Sequence, residues 1–125
     1  MNKLLRIDNI MYKVRDLNKA AKWYTAVLGL KQVWRDDKAK MIGFKVEEND
    51  SEIVIHSDKK LPKFDFSYAV ESVDKFIKQA TRNGFKLTYG PIKVRTGKYA
   101  ILQDPDKNKI PIIDLTKFKG KARYN

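Results

Sequence analysis

The sequence predicts an α+β domain built from two βαβββ modules, packed as paired curved mixed sheets around a cavity. Three observations carry that prediction. The order strand–helix–strand–strand–strand occurs twice, with a period of about 60 residues and Leu61-Pro62 between the copies. The strands after each helix are too closely spaced for a crossover helix between every pair, which argues for antiparallel hairpins and against a doubly wound parallel sheet. A four-stranded sheet with one helix has only one face covered by that helix, so the other face must pack on something, and the second copy is the natural candidate. Two curved sheets facing each other leave a concavity in which a ligand would sit.

Each element has its own signal. Leu4 to Val14 mixes β-branched and apolar types with polar ones and reads as a strand. Asp16 or Asn18 can cap the helix that follows. In LNKAAKWYTAVLGL, Leu17, Ala21, Tyr24 and Leu28 fall on one helical face, and Gly29 supplies a left-handed stop. Leu30 to Arg35, Lys40 to Val46 and Glu52 to His56 are short strands separated by Asp36-Asp37 and Glu48-Asn49-Asp50. The second copy begins after Pro62. Phe66 to Val70 is a strand, Ser72 caps a helix with the apolar face Val73, Phe76, Ile77 and Ala80, and Gly84 closes it. Phe85 to Tyr89, Tyr99 to Leu102 and Ile110 to Leu115 complete the module, the last two joined by a turn at Asp104 to Asn108 whose dihedral Pro105 sets.

A chain of 125 residues fits one domain. Module one spans about 4–58, module two about 64–116, and a basic tail fills 117–125. There is no cysteine, which excludes a disulfide framework, a thiolate metal site and a cysteine nucleophile. Charged residues interrupt the N-terminus too often for a signal peptide, and no run approaches the roughly 18 apolar residues of a membrane span. A cytoplasmic location is expected. The net charge is +12, from 27 Lys and Arg against 15 Asp and Glu. The lysines are scattered along the whole chain and outnumber the arginines that base recognition favours, so they read as a solvated surface rather than a nucleic-acid footprint. The cluster Lys117 to Arg123 reads as a frayed, solvated terminus or as a patch that attracts acidic surfaces. A positive field still favours anionic small ligands over cationic ones.

Two stretches carry a family resemblance. IDNIMYKVRDLNKAAKWYTAVLGLK, with Asp16-Leu17, Trp23-Tyr24 and Leu28-Gly29, resembles the opening signature of the vicinal-oxygen-chelate (glyoxalase/bleomycin-resistance/extradiol dioxygenase) superfamily. ILQDPDKNKIPIIDL resembles its closing Asp-Pro-Asp-Gly-Asn turn and final strand, with Lys107 in place of the glycine. The resemblance implies an inter-module cavity whose floor, in the metal-dependent members, holds a divalent ion. Its ligands there are a His on the first strand, a His or Gln on the first strand of the second module, and a Glu on the last strand; some members add a carboxylate near the end of the fourth strand. Such an ion acts as a Lewis acid on two adjacent substrate oxygens.

Carried over residue by residue, these positions fall on Asn9, Ser67 and Pro111, and on Ile55 or His56. Pro111 has no donor atom, and Asn9 and Ser67 are neutral and weak. No family-type metal and no other cofactor is therefore expected. Pro111 also predicts a bulge or break in an internal strand.

The candidate ligand-binding residues are Asn9, Met11, Trp34, His56, Ser67 and Pro111. Asn9 and Ser67 would orient a ligand by hydrogen bonds, or keep an abandoned site satisfied with water. Met11 shares the face of Asn9 by the two-residue period and is adaptable lining or core. Trp34 is lining or core, part of it exposed beside Arg35. Tyr68 points away from Ser67 and is read as core, as are Trp23 and Tyr24. His56, the only histidine, has no visible partner for base catalysis. Arg35, Arg95 and Lys98 are candidates for anion capture, set against a merely solvated loop.

The expected function is metal-independent binding of a small neutral or anionic molecule in the inter-module cavity, with no catalytic residue assignable. The alternative is a metal-dependent lyase, thiol transferase or dioxygenase of the same superfamily using His56 with Glu71 or Asp114. A homodimer is implied by the resemblance. Nucleic-acid binding is disfavoured, and no membrane partner is expected.

Overall fold

The computed structural model describes residues 3–47, 50–82, 85–119, 121 and 123. The predicted stops at Glu48-Asn49 and Gly84 lie outside the described residues. The element order is β1 (Arg6–Lys13), α1 (Leu17–Leu28), β2 (Lys31–Asp36), β3 (Met41–Lys45), β4 (Glu52–His56), β5 (Phe64–Val70), α2 (Val73–Arg82), β6 (Lys86–Lys93), β7 (Lys98–Gln103) and β8 (Lys109–Asp114), with a 3-10 turn at Thr116–Phe118. This is the βαβββ pattern twice over. The chain divides into two compact units, Asn9–Phe66 and Ser67–Arg123, the latter joined by the residues up to Asp8.

In the first module the strand order is β2-β3-β4-β1. β1 runs parallel to β4, while β2–β3 and β3–β4 are antiparallel. The Asp16 side chain accepts the Lys19 N–H at 3.0 Å, which satisfies an orphan donor of the first turn of α1. Gly29, at φ 68°, closes the helix and donates its N–H to Tyr24 O. The inner stripe of α1 buries Ala21 over Leu30, Ile42, Phe44 and Ile55, with Leu17 and Tyr24 packed against them.

The second module repeats the plan as β5-β8-β7-β6, with β5–β8 parallel and the other pairs antiparallel. Its core is Val70, Val73, Ala80, Ala100, Leu102 and Ile112, flanked by Phe76 and Ile77. Ser72 Oγ accepts the Lys75 N–H at 3.3 Å. A second acceptor comes from far along the chain. Asp114, 1% exposed, takes the Val73 N–H at 2.8 Å, the Lys98 N–H at 2.9 Å and the Thr116 Oγ1–H at 2.8 Å. One carboxylate thus ties the start of α2 to the ends of β7 and β8.

Two expectations are corrected and one is met in half. At Pro111 there is no bulge, since the β7–β8 register runs through Ile101↔Pro111 without a shift, but the pairing with β5 breaks there, starting only at Tyr68↔Ile112. The missing N–H therefore lies outside the parallel ladder. The basic cluster is not frayed where it is described. Lys117 donates from its backbone to Thr96 O and from Nζ to Val94 O. Arg123 grips Asp8 with both terminal nitrogens, at 2.8 and 3.3 Å, and the two side chains are 1% and 0% exposed. An acidic residue with no exposure on β1 is what draws the arginine in, because a buried carboxylate requires a cation or several donors. Finally, Trp23 is not core: it is 52% exposed, whereas Tyr24 beside it packs on Phe44.

Candidate functional site

Strand register decides which side chains of the first module share a face. Asn9 lies beside Glu52, Met11 beside Val54 and Lys13 beside His56. β3 extends these rows with Lys45, Gly43 and Met41, and β2 places Trp34 beside Gly43. The alternate residues Ile42, Phe44, Ile53 and Ile55 pack under α1. Of the two residues considered for the fourth-strand position, His56 therefore lies on the face of Asn9, and Ile55 lies in the core.

At the centre of this face is a buried carboxylate. Glu52 is 4% exposed, and its Oε2 accepts the Trp34 Nε1–H at 3.0 Å. The indole lies across β3 over Gly43, where an added Cβ would overlap the ring. Glycine at 43 is thus required by a side chain crossing the strand, not by its own dihedrals. Trp34 and Glu52 form a fixed unit with Val54, 3% exposed, behind it and half-buried Asn9 and Met11 alongside. Glu52 is the residue that sequence reasoning missed. Its signal was present in the alternation Glu52, Val54, His56, but only the β1–β4 register sets the carboxylate beside Asn9.

His56 has no exposure, and both ring nitrogens have partners. Nδ1 accepts the Asp58 N–H at 3.2 Å, so Nε2 carries the proton and donates to Pro62 O at 3.1 Å. The histidine fastens the chain that leaves β4, and no ring nitrogen remains to act as base or ligand in this arrangement. Two of the residues suggested for anion capture are also engaged. Arg35 donates to Asp37 at 2.6 Å and Asn18 at 2.8 Å, and Lys98 donates to Asp74 at 2.7 Å. Arg95 is exposed.

In the second module Ser67, 2% exposed, precedes the Tyr68↔Ile112 pair, which sets it next to buried Pro111. Pro111 pairs with Ile101 and Ile113 with Tyr99, so this sheet face is largely apolar. The helix caps Asp16 and Ser72 fix the offset of the internal repeat. By that offset Asp65 repeats Asn9, and Ser67 repeats Met11. The Asp65 carboxylate accepts the N–H of Phe66 at 2.8 Å.

The site residues thus fall into two sets, Asn9, Met11, Trp34 and His56 on one module and Ser67 with Pro111 on the other. Among the described residues no group of three or more His, Cys, Asp or Glu side chains could hold a metal ion. Of the two residues suggested as companions to His56, Asp114 is occupied by backbone and hydroxyl donors, and Glu71 is exposed. No helix among the described residues is long and apolar enough to cross a membrane.

Residues 6–112 match the model of the Glyoxalase/Bleomycin resistance protein/Dioxygenase superfamily. A probable chloroplastic lactoylglutathione lyase of Arabidopsis thaliana is 26% identical over 124 residues, which is 87% of this chain and 35% of that protein. The chain therefore spans about a third of the length of that relative. Among solved structures, methylmalonyl-CoA epimerase of Mycobacterium tuberculosis superposes with a TM-score of 0.69 at 17% identity, covering 89% of this chain and 88% of its own. An uncharacterized protein of Methanosarcina mazei gives 0.61 at 22% identity, covering 90% and 94%. These similarities show the fold.

Proposed function

The chain belongs to the Glyoxalase/Bleomycin resistance protein/Dioxygenase superfamily, and from that premise we propose that it binds a small neutral or anionic molecule at the Asn9–Glu52 face without a divalent metal. The observation that carries this reading is the donor chemistry at the family's metal positions. Asn9 offers a neutral amide, Pro111 offers nothing, and on the first strand of the second module Asp65, which repeats Asn9, offers one carboxylate, with only the Ser67 hydroxyl two residues on. A catalytic zinc-type centre takes about three good protein ligands with a fourth position open. The residues present do not fit such an ion.

The binding chemistry follows from the first-module face. Met11 and Val54 supply apolar contact, and Met11 adapts to irregular shapes. The Asn9 amide can both donate and accept. Glu52 accepts hydrogen bonds only, so it favours a ligand presenting an N–H or O–H toward it, and Trp34 holds the carboxylate in place. The net charge of +12 draws anionic molecules to the protein. A neutral donor group carried on an anionic molecule satisfies both influences.

A second reading, a metal-dependent enzyme of the lyase type named for the Arabidopsis relative, is favoured by the Glu52 carboxylate beside Asn9. That pair alone leaves the ligand set short. The test is a thermal-shift screen of neutral and anionic compounds in metal-free buffer, repeated on Gly43→Ala. Binding that stabilises the parent and is lost in the variant supports the proposed face. Binding that survives in Gly43→Ala, or appears only when a divalent metal is added, refutes it.

A further inference from the structure

A cavity of about 190 Å³ opens on the second module, between α2 and the segment that leads into β1. It lies on the helix side of the sheet, opposite the Ser67–Pro111 face. Its apolar lining is Leu5 and Phe76, and both are held in place. Leu5 donates its N–H to Ala69 O at 2.8 Å, and Phe76 donates its N–H to Ser72 O at 2.9 Å while packing against the core of Val70, Val73 and Ile112.

The polar lining carries both signs of charge. Lys3 and Lys75 bring ammonium groups, Glu71 a carboxylate, Gln79 an amide and Ser72 a hydroxyl. Among the described residues, the side chains of Lys3, Glu71, Lys75 and Gln79 form no hydrogen bond or ion pair. Neighbouring Asp74, by contrast, is paired with Lys98 at 2.7 Å. The first-turn backbone donors of α2 are already taken, that of Val73 by Asp114 and that of Lys75 by Ser72. Recognition in this groove therefore rests on side chains, not on the helix end.

This mixture of groups selects the occupant. An inorganic anion would use Lys3 and Lys75, but it would meet Glu71 in the same groove and leave Leu5 and Phe76 without contact. A wholly apolar molecule would leave the polar lining to water. A molecule with one carboxylate, one ammonium and a short apolar chain engages every part. Its carboxylate accepts from the lysines and from Ser72, whose hydroxyl hydrogen is still available because Oγ serves the backbone only as an acceptor. Its ammonium meets Glu71, and its chain covers Leu5 and Phe76. Drug-sized ligands take pockets of roughly 300–1,000 Å³, so the smaller volume here restricts the occupant to a few atoms.

We propose that this groove binds a free α-amino acid with an aliphatic side chain, at a second site that shares no residue with the Asn9–Glu52 face. Held between Leu5 and Phe76, the ligand joins the segment before β1 to α2 and stabilises the folded module.

Titration of L-leucine into the isotope-labelled full chain, followed by backbone amide NMR, tests this. Isocaproate, which lacks the ammonium, and isoamylamine, which lacks the carboxylate, are titrated beside it. The expected result is saturable shifts at Leu5, Glu71, Ser72 and Phe76 with leucine, and a dissociation constant roughly fivefold or more higher for either analogue. Lys75→Glu removes one attraction and adds one repulsion, each on the scale of an exposed ion pair, so it should weaken leucine roughly fivefold or more. The new glutamate stands three residues after the Ser72 cap, an arrangement that supports the helix, so undiminished melting separates lost binding from unfolding. Glu71→Gln should weaken leucine but not isocaproate. Leucine that gives no saturable shifts at these amides overturns the proposal, as does isocaproate binding as tightly as leucine, or leucine binding that survives Lys75→Glu. Shifts centred instead on Asn9, Met11 and Glu52 would assign leucine to the other face and overturn it equally.

Discussion

The two modules share one plan and use their buried carboxylates in opposite ways. In the second module Asp114 accepts from the N-terminus of α2, from β7 and from Thr116, so its acceptor capacity is consumed by the fold. In the first module Glu52 is almost as buried, and its Oε2 accepts from a tryptophan side chain crossing its own sheet. Backbone donors make a carboxylate a structural rivet. A side-chain donor holds a carboxylate on a sheet face while leaving the backbone pattern intact, which suits a binding surface. The difference teaches that burial of an acid does not by itself distinguish architecture from site; the identity of its donors does.

The largest test of this contrast is Asp114→Ala. It leaves buried donors at three elements without their acceptor, and urea denaturation should show a loss of about 3–5 kcal/mol or failure to fold, the scale of breaking a buried charged network. A loss comparable to an ordinary surface substitution would erase the distinction.

Next in size is Gly43→Ala, whose Cβ must displace the Trp34 indole. Overpacking of this kind costs about 1–3 kcal/mol. Intrinsic tryptophan fluorescence should change as Trp34 leaves Glu52, while the far-ultraviolet circular dichroism of the fold stays. An unchanged tryptophan signal would mean that the indole is not fixed over β3.

Lys107→Gly should be smaller and of opposite sign. Lys107 sits at φ 69° in the Asp104–Asn108 turn, and the left-handed region costs a non-glycine residue roughly 1–2 kcal/mol. Part of that gain is offset by the greater freedom of glycine in the unfolded chain, so a melting rise equivalent to about 0.5–1 kcal/mol is expected. A fall in melting temperature would show that the lysine side chain matters in the turn.

The smallest effect is in the same turn. The Asn108 side chain, then its backbone and that of Asp106, hold the Asp104 carboxyl below the usual carboxylate range. A lowered folded-state pKa means that the contribution is present above the unfolded pKa and disappears as pH falls through the folded one. Asp104→Asn should therefore narrow its stability gap from the parent as the solution is acidified below the ordinary aspartate range. A gap that widens there contradicts the assignment.

Much of the architecture was legible because its signals are local. Asp16, Ser72 and Gly29 announce helix ends through groups they satisfy within one turn, and Asp104 to Asn108 announces a turn in the same way. What was not legible depended on partners distant in sequence. Glu52 reads as the polar start of a strand until the β1–β4 register sets it beside Asn9. Arg123 reads as one more cation in a basic tail until Asp8, 115 residues earlier, proves to have no exposure. Trp23 follows the helical apolar pattern closely enough to be taken for core, yet it lies one step outside the stripe that Ala21 and Tyr24 occupy. Asn9 and Pro111 were nameable in advance because the resemblance aligned them, whereas Ser67 was named two residues beyond Asp65, the residue that the helix-cap offset sets opposite Asn9. Their arrangement in two face sets required register, which single-sequence periodicity does not provide.

The central claim, that this superfamily scaffold binds its ligand without a metal, is tested most directly by the metal content of purified protein never exposed to chelator, followed by melting with added Ni²⁺, Zn²⁺, Mn²⁺ and Fe²⁺. The account predicts no co-purifying metal and no shift with any of the four. Near-stoichiometric metal, or stabilisation approaching the about 2.7 kcal/mol that a ligand confers at 100 times its dissociation constant, would contradict it and point to ligands around Glu52 and Asn9.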